Sequence, residues 1–90
     1  MKPTQSEIYQ CAVKRGKITK QTNRKQFLEA IASELLELAE AKDYGDFNPK
    51  ETALELADIV QVCYSMAEHN RINLDKAIKT KHEYNLTRKD

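Results

Sequence analysis

Apolar residues recur three and four positions apart along most of this chain, a spacing that predicts amphipathic helices. No stretch shows the alternating pattern of a strand. Start signals divide the chain into four helices, because each apolar run follows a residue whose side chain can cap a helix. The predicted starts are Thr4 with Glu7, Asn23 with Gln26, Asn48 with Pro49 and Glu51, and Asn73 with Asp75.

The predicted helix ends follow from glycines and basic last turns. We expect the first helix to end at Gly16, the second near Lys42 before Gly45, and the third near His69. A short turn joins the second and third helices, so these two should pack antiparallel as a central hairpin. The fourth helix should turn its apolar residues inward, namely Leu74, Ala77 and Ile78.

Length and composition fit this picture. Ninety residues make one domain, spanning residues 1–90, and 40% hydrophobic with 32% charged residues suits a bundle with a charged surface. A chain this short buries a modest fraction of its surface, so oligomerisation would supply additional core. The predicted fold is therefore an all-α chain of four helices around an antiparallel hairpin, assembling into an oligomeric helical bundle.

The cysteines and the N-terminus indicate the cellular compartment of the protein. Cys11 and Cys63 lie within helical patterns, where we expect small buried apolar groups in a reducing environment. With His69 and His82 they show no CxxC spacing and predict no zinc site. The N-terminus lacks an apolar signal region and no long apolar run follows, so the sequence predicts a cytoplasmic chain without a membrane contact.

Two acid pairs, Glu34 with Glu37 and Glu55 with Asp58, interrupt the apolar faces of the second and third helices. On a helical projection the first acid of each pair falls between apolar residues, and the second lies one turn on at their edge. The hairpin should place the pairs opposite each other. Carboxylates about 4 Å apart repel by roughly 4 kcal/mol at an effective dielectric near 20, and burial adds a desolvation cost.

Protonation, a cationic side chain or a metal would each relieve this repulsion. Four carboxylates facing one another would form an all-oxygen site, which suits Mg²⁺ or Mn²⁺. The competing interpretation is that the acids are partly exposed at a bundle edge and pair with lysine or arginine. Two matched pairs within apolar stripes favour the metal.

Basic residues gather in two segments, although the formal net charge is only +1. Six of them fall between Glu7 and Glu29, where no acid occurs. Near the C-terminus Lys81, Asn85 and Arg88 would share one face if the fourth helix continues that far, and they could hold phosphate oxygens or a base edge. A frayed charged terminus is the alternative. The near-neutral balance and the lack of a nucleic-acid motif argue against a nucleic-acid surface.

The acid pairs and the segments around them resemble those of a known family. Glu34xxGlu37, followed after seventeen residues by Glu55xxAsp58, resembles the ExxE…ExxD signature of the MazG-like all-α nucleoside triphosphate pyrophosphohydrolases. The resemblance covers roughly residues 25–88. Further matching segments are 33–41 with the family's EExGELxEA helix, 55–59 with its ELADV segment, and Lys81xxxAsn85xxArg88 with its KxxxNxxR ending.

The resemblance implies Mg²⁺-dependent hydrolysis of a (d)NTP to the monophosphate and pyrophosphate, with a housecleaning role and Mn²⁺ as a substitute. The implied metal ligands are Glu34, Glu37, Glu55 and Asp58, and either Glu34 or Glu37 could orient the attacking water as base. The implied nucleotide contacts are Lys81, Asn85 and Arg88. The family assembles as dimers or dimer-based tetramers, which implies a homodimer or homotetramer.

The sequence departs from the family at a few positions. Ser33 stands where many members have another glutamate, and the chain has no tryptophan for base stacking. Tyr9 could stack the base, or it could pack. The competing function is a non-catalytic helical dimerisation module with structural acid pairs. A di-iron carboxylate bundle is disfavoured because no ExxH pair is present.

Overall fold

The computed structural model describes the backbone of residues 1–43 and 48–89, and the side chains of residues 1–40 and 48–89. These residues form α1 (Gln5–Lys14), α2 (Arg24–Asp43), α3 (Pro49–His69) and α4 (Leu74–Thr87). No strand occurs within these described ranges. The predicted all-α class is therefore confirmed, while the predicted stop at Gly45 lies outside the described residues.

The helices begin at the predicted capping residues. Thr4 Oγ1 accepts from the Glu7 amide at 3.1 Å, and Glu7 Oε1 accepts from the Thr4 amide at 2.8 Å. Asn23 and Gln26 form the same reciprocal pair, at 2.9 and 2.8 Å. Each bond satisfies an amide that the first helical turn leaves without an internal partner. Asn48 caps α3 through the amides of Lys50 and Glu51, and Asn73 caps α4 through that of Lys76.

The antiparallel hairpin is visible at its open end, where the start of α2 meets the end of α3. Phe27 is buried against His69, with ring centroids 5.1 Å apart. His69 Nε2 lies 2.9 Å from the carbonyl oxygen of Thr22, to which it donates because a carbonyl can only accept. Nδ1 of the neutral ring then accepts from the Tyr9 hydroxyl at 2.8 Å. One histidine thus joins α1, the α1–α2 connection and α3.

The core surrounds the C-terminal half of α3, which packs against both α1 and α2. It is small, and no side chain in the described part of the chain is fully buried. The residues with the least exposure are Ile18, Phe27, Tyr64, Ser65 and Ala67.

Gln5 fastens the start of α1 to the junction between α3 and α4. Its Nε2 donates to Glu68 Oε1 at 2.9 Å and to the carbonyl oxygen of Ile72 at 2.7 Å. Its Oε1 accepts from the Leu74 amide at 3.2 Å. One side chain therefore makes three bonds to residues more than sixty positions away in sequence.

The beginning of α4 is anchored to α3. The Tyr64 hydroxyl donates to Asp75 Oδ1 at 2.6 Å, and Arg71 turns the chain between the two helices with a φ of 59°. Leu74 is half-buried, but Ala77 is exposed and Ile78 is 51% exposed. The inward prediction is wrong for the last two, because α4 packs little on α3 beyond its start and no other part of the described ranges covers its apolar face.

The two cysteines differ. Cys63 is half-buried, while Cys11 is exposed, so its predicted burial is wrong. The reason is that α1 turns Ile8 and Ala12 inward instead. None of the helices in the described ranges is long and apolar enough to cross a membrane.

Candidate metal centre

The hairpin brings three of the four candidate acids together. Glu34 and Glu37 stand one turn apart on α2, and antiparallel α3 places Glu55 opposite them. One carboxylate oxygen from each lies within 4.8 Å of the other two. Neither helix alone could assemble this cluster, because it requires the pairing of residues about twenty positions apart.

Two of these carboxylates have an oxygen without a partner. Oε2 of Glu34 and Oε2 of Glu55 are both buried, and neither accepts a hydrogen bond from the described residues. Buried polar atoms are normally satisfied, and leaving one unsatisfied costs about 1–3 kcal/mol, more when it is charged. Glu37 is exposed, so the cluster opens to solvent on its side.

The electrostatics of the cluster are unfavourable without a cation. The pKa of Glu34 is raised above its ordinary value, first because burial withdraws the carboxyl from water, then through the charge of Glu37 and that of Asp58. A hydrogen bond with Glu37 and the charge of Glu55 act in the same direction. Every group that shifts Glu34 is itself an acid. A bound cation would oppose each of these effects.

Asp58 lies at the rim of the cluster. It follows Glu55 by one turn of α3 and is exposed. Its oxygens are not among the three that converge, although its charge contributes to raising the pKa of Glu34. Three carboxylates with two unsatisfied oxygens suit a hard divalent cation such as Mg²⁺ or Mn²⁺, which prefers oxygen ligands and keeps open positions for water and phosphate.

The basic residues of α4 are exposed. Nζ of Lys81 lies 4.8 Å from the centroid of the Tyr84 ring, beside a shallow groove of about 640 Å³ along this helix. Asn85 follows one turn on. The helix ends at Thr87, so Arg88 is its C-cap in extended conformation and does not continue the helical face that the three residues would share.

Tyr9 has a packing role. Its hydroxyl donates to His69, and the two rings stand 5.8 Å apart at 55°. Of the two roles left open by the sequence, the structure favours packing. No pattern in the sequence indicates His69 or Gln5 as anchoring residues, since their partners lie more than forty positions away. Gln5 sits inside a capping box, where a polar residue ordinarily indicates a solvated helix start.

The fold and the cluster define a class, namely all-α proteins whose helical hairpin carries a carboxylate centre suited to a hard divalent cation. Residues 3–85 match the phosphoribosyl-ATP pyrophosphohydrolase family, and the chain belongs to it. That family is part of the MazG-like all-α NTP pyrophosphohydrolase superfamily, so the resemblance drawn from the acid motifs is confirmed. Neither the curated proteins nor the solved structures contain a match to this chain. Membership makes the chain a hydrolase of the pyrophosphohydrolase class.

Proposed function

We propose that this chain hydrolyses a nucleoside triphosphate between its α and β phosphates, releasing a nucleoside monophosphate and pyrophosphate. Mg²⁺, or Mn²⁺ in its place, would be held by Glu34, Glu37 and Glu55, with Asp58 as a further ligand at the rim. The observation that carries the proposal is the pair of buried, unsatisfied oxygens on Glu34 and Glu55 beside an exposed Glu37.

Two candidate substrates would undergo this same reaction. The family is named for phosphoribosyl-ATP, whereas the wider superfamily acts on nucleoside triphosphates. Both carry the same triphosphate, so the acid cluster would perform one reaction on either. The choice between them would depend on contacts to the base and sugars. A (d)NTP substrate would give the chain a role in nucleotide-pool housecleaning, at the cytoplasmic location that the sequence predicts.

The chain's own carboxylates would position the reaction. When bound, the cation neutralises phosphate charge and lowers the pKa of a coordinated water. Glu34 or Glu37 would orient the attacking water in line with the scissile phosphoanhydride. Burial and neighbouring charges raise the pKa of Glu34, which favours proton acceptance. Glu37 is exposed, so substrate and water could reach it.

Lys81, Asn85 and Arg88 are proposed to contact the nucleotide. Lysine and arginine suit phosphate oxygens, and asparagine suits a phosphate or a base edge. Lys81 and Asn85 are exposed on α4, beside the groove, and are accessible to a ligand. Lys81→Ala should raise KM with little change in kcat, because it removes binding common to ground and transition states. Lys79→Ala, an exposed lysine on the same helix, is the matched control.

We further propose that the chain acts as a homodimer or homotetramer. Its accessible surface is 7581 Å², whereas a compact monomer of 10.4 kDa exposes about 5,400 Å². Its radius of gyration is 15.0 Å, against about 12 Å for a compact chain of this length. An open subunit with a small core fits a chain completed by further copies.

One assay tests the reaction. Purified protein is incubated with a panel of (d)NTPs and phosphoribosyl-ATP, with and without Mg²⁺, and pyrophosphate release is measured. We expect Mg²⁺-dependent release that falls about a hundredfold or more in Glu37→Gln. Glu40→Gln, an exposed acid one turn further along α2, should retain activity.

The proposed enzymatic function would be contradicted if no substrate in the panel gave metal-dependent pyrophosphate release, or if Glu37→Gln remained active. The second candidate function would then be the non-catalytic helical dimerisation module. It is favoured by one observation, the exposed leucines of α2 and α3. In that case the acids would pair with cations of a partner subunit.

A further inference from the structure

We propose that Tyr84 holds the base of the bound nucleotide by stacking against it, on a strip of α4 that we call the tyrosine platform. The inference deepens the proposed function and rests on it, because it adds an aromatic contact to the phosphate and base-edge contacts named above. The platform is the shallow groove along α4, and the described residues that line it are Asn73, Lys76, Ala77, Thr80, Lys81 and Tyr84.

Tyr84 is an aromatic side chain that the fold leaves accessible. Among the tyrosines and phenylalanines of residues 1–40 and 48–89, Phe27 and Tyr64 are buried. Tyr9 is half-buried, and its hydroxyl is bonded to His69. Tyr84 is 55% exposed, and the chain has no tryptophan. Tyr84 is therefore the one tyrosine or phenylalanine of these ranges against which a base could stack.

The residues before Tyr84 leave room beside its ring. Side chains of a helix lean toward its N-terminus, so the ring lies over the turns that precede it. The residues there on the same side of α4 are Ala77, Thr80 and Lys81. Ala77 and Thr80 are small, and the groove that results has a volume of about 640 Å³. Small-molecule sites in proteins commonly have volumes of this order.

Two lysines flank the ring on opposite sides about the helix axis. Nζ of Lys81 lies 4.8 Å from the centroid of the Tyr84 ring, and Lys76 lines the groove about two turns earlier. An aromatic ring between ammonium groups suits a ligand that carries both a π-face and negative charge, as a nucleotide does. An apolar ligand would not use the ammonium groups, and inorganic phosphate would not use the ring.

Stacking also determines how the platform would treat different bases. Every base has a π-face, so an aromatic contact binds bases with little discrimination. The described residues that line the groove all belong to α4 and its N-cap, which makes the platform open on its outer side. We therefore expect Tyr84 to contribute affinity that purine and pyrimidine nucleotides share, while selectivity among bases comes from other contacts.

The lack of tryptophan gives a direct test, because Tyr84→Trp introduces a single indole into the chain. The probe is the nonhydrolysable α,β-methylene analogue of ATP, titrated in the presence of Mg²⁺. We expect the analogue to quench the indole fluorescence, and inorganic tripolyphosphate, which lacks a base, to leave it unchanged.

Leu86→Trp is the matched control for this titration. Leu86 is 71% exposed on the same helix, but it lies about 200° round from Tyr84 and away from the platform. Its indole should not respond to the analogue. Equal quenching at positions 84 and 86 would overturn the platform, as would an unquenched Tyr84→Trp that binds the analogue by calorimetry.

Calorimetric titration of the same analogue covers the case in which an indole disturbs the helix. Tyr84→Ala should bind about tenfold more weakly than wild type, whereas Tyr84→Phe keeps the ring and should bind as wild type. The CTP analogue should show the same loss. Unchanged binding by Tyr84→Ala would refute the stacking contact. Pyrophosphate release by wild type, assayed separately, would show whether the proposed reaction stands when the platform does not.

Discussion

Glu34 occupies a position that is costly for a carboxylate. One of its oxygens is buried and accepts no hydrogen bond from the residues that the structure describes. Besides burial, the groups that raise its pKa are all acids. Its neighbours on the helical projection are apolar, so a leucine would pack there better than a carboxylate does. Retaining an acid there is understandable if a cation completes the cluster, since a ligand bound only by the folded state raises stability.

This leads to a prediction for Glu34→Gln. Without metal, the variant should melt about 4 °C or more above wild type, because it removes a carboxylate from a repelling cluster and adds an amide donor. Added Mn²⁺ should raise the melting temperature of wild type but not of the variant. Glu29→Gln, an exposed acid of α2, should match wild type in both conditions. A metal-free Glu34→Gln that melts below wild type would contradict the argument.

The raised pKa of Glu34 also sets a pH dependence. Burial is its main cause, and the unfolded value is near 4.5. The folded state keeps its proton where the unfolded state has lost it, so this contribution is fully present below pH 4.5 and is lost as pH rises through the folded pKa. Urea unfolding of metal-free protein should show that loss in wild type and not in Glu34→Gln. Equal pH dependence in the two proteins would exclude Glu34 as its source.

At the scale of elements, a contact could be predicted from the sequence when its two residues lie close together along the chain. The capping bonds of α1 and α2 join residues three positions apart, and both pairs form as the sequence predicts. The facing of Glu34 and Glu55 followed from periodicity and a short turn. The anchoring by Gln5 could not be foreseen, because its partners come close only after the chain has folded.

The α4 helix shows the limit of periodicity. Its pattern predicted an inward face, but Ala77 and Ile78 are exposed, since a pattern identifies a face that can be buried and not the surface that buries it. Arg88 lies past the helix end at Thr87, where spacing rules for a helix no longer apply.

A substitution at Gln5 tests how much its hydrogen bonds stabilise the junction between α1, α3 and α4. Gln5→Glu keeps the shape of the side chain but removes the donor that bonds Glu68 and Ile72, and it places a negative charge beside Glu68. We expect a loss of about 2–3 kcal/mol in the free energy of unfolding, measured with urea. Gln10→Glu, an exposed change on the same helix, should be nearly neutral. Equal stabilities of the two variants would show that the junction does not depend on Gln5.

For the whole molecule, the small core and large surface have a thermodynamic consequence. A subunit completed by another copy should gain stability by mass action, so its melting temperature should rise with protein concentration. The expected result is a progressive increase across about a hundredfold range of concentration. A wild-type melting temperature independent of concentration would indicate a subunit that is stable alone.

The bridging position of His69 also has a spectroscopic consequence. Because Thr22 offers only a carbonyl oxygen, the neutral imidazole carries its proton on Nε2 and leaves Nδ1 to accept from Tyr9. Nitrogen-15 NMR distinguishes this tautomer from the alternative by the chemical shifts of the two ring nitrogens. The hydrogen-bonded Nε2 proton would then give a single resonance that reports whether α1 and the start of α2 remain docked on α3.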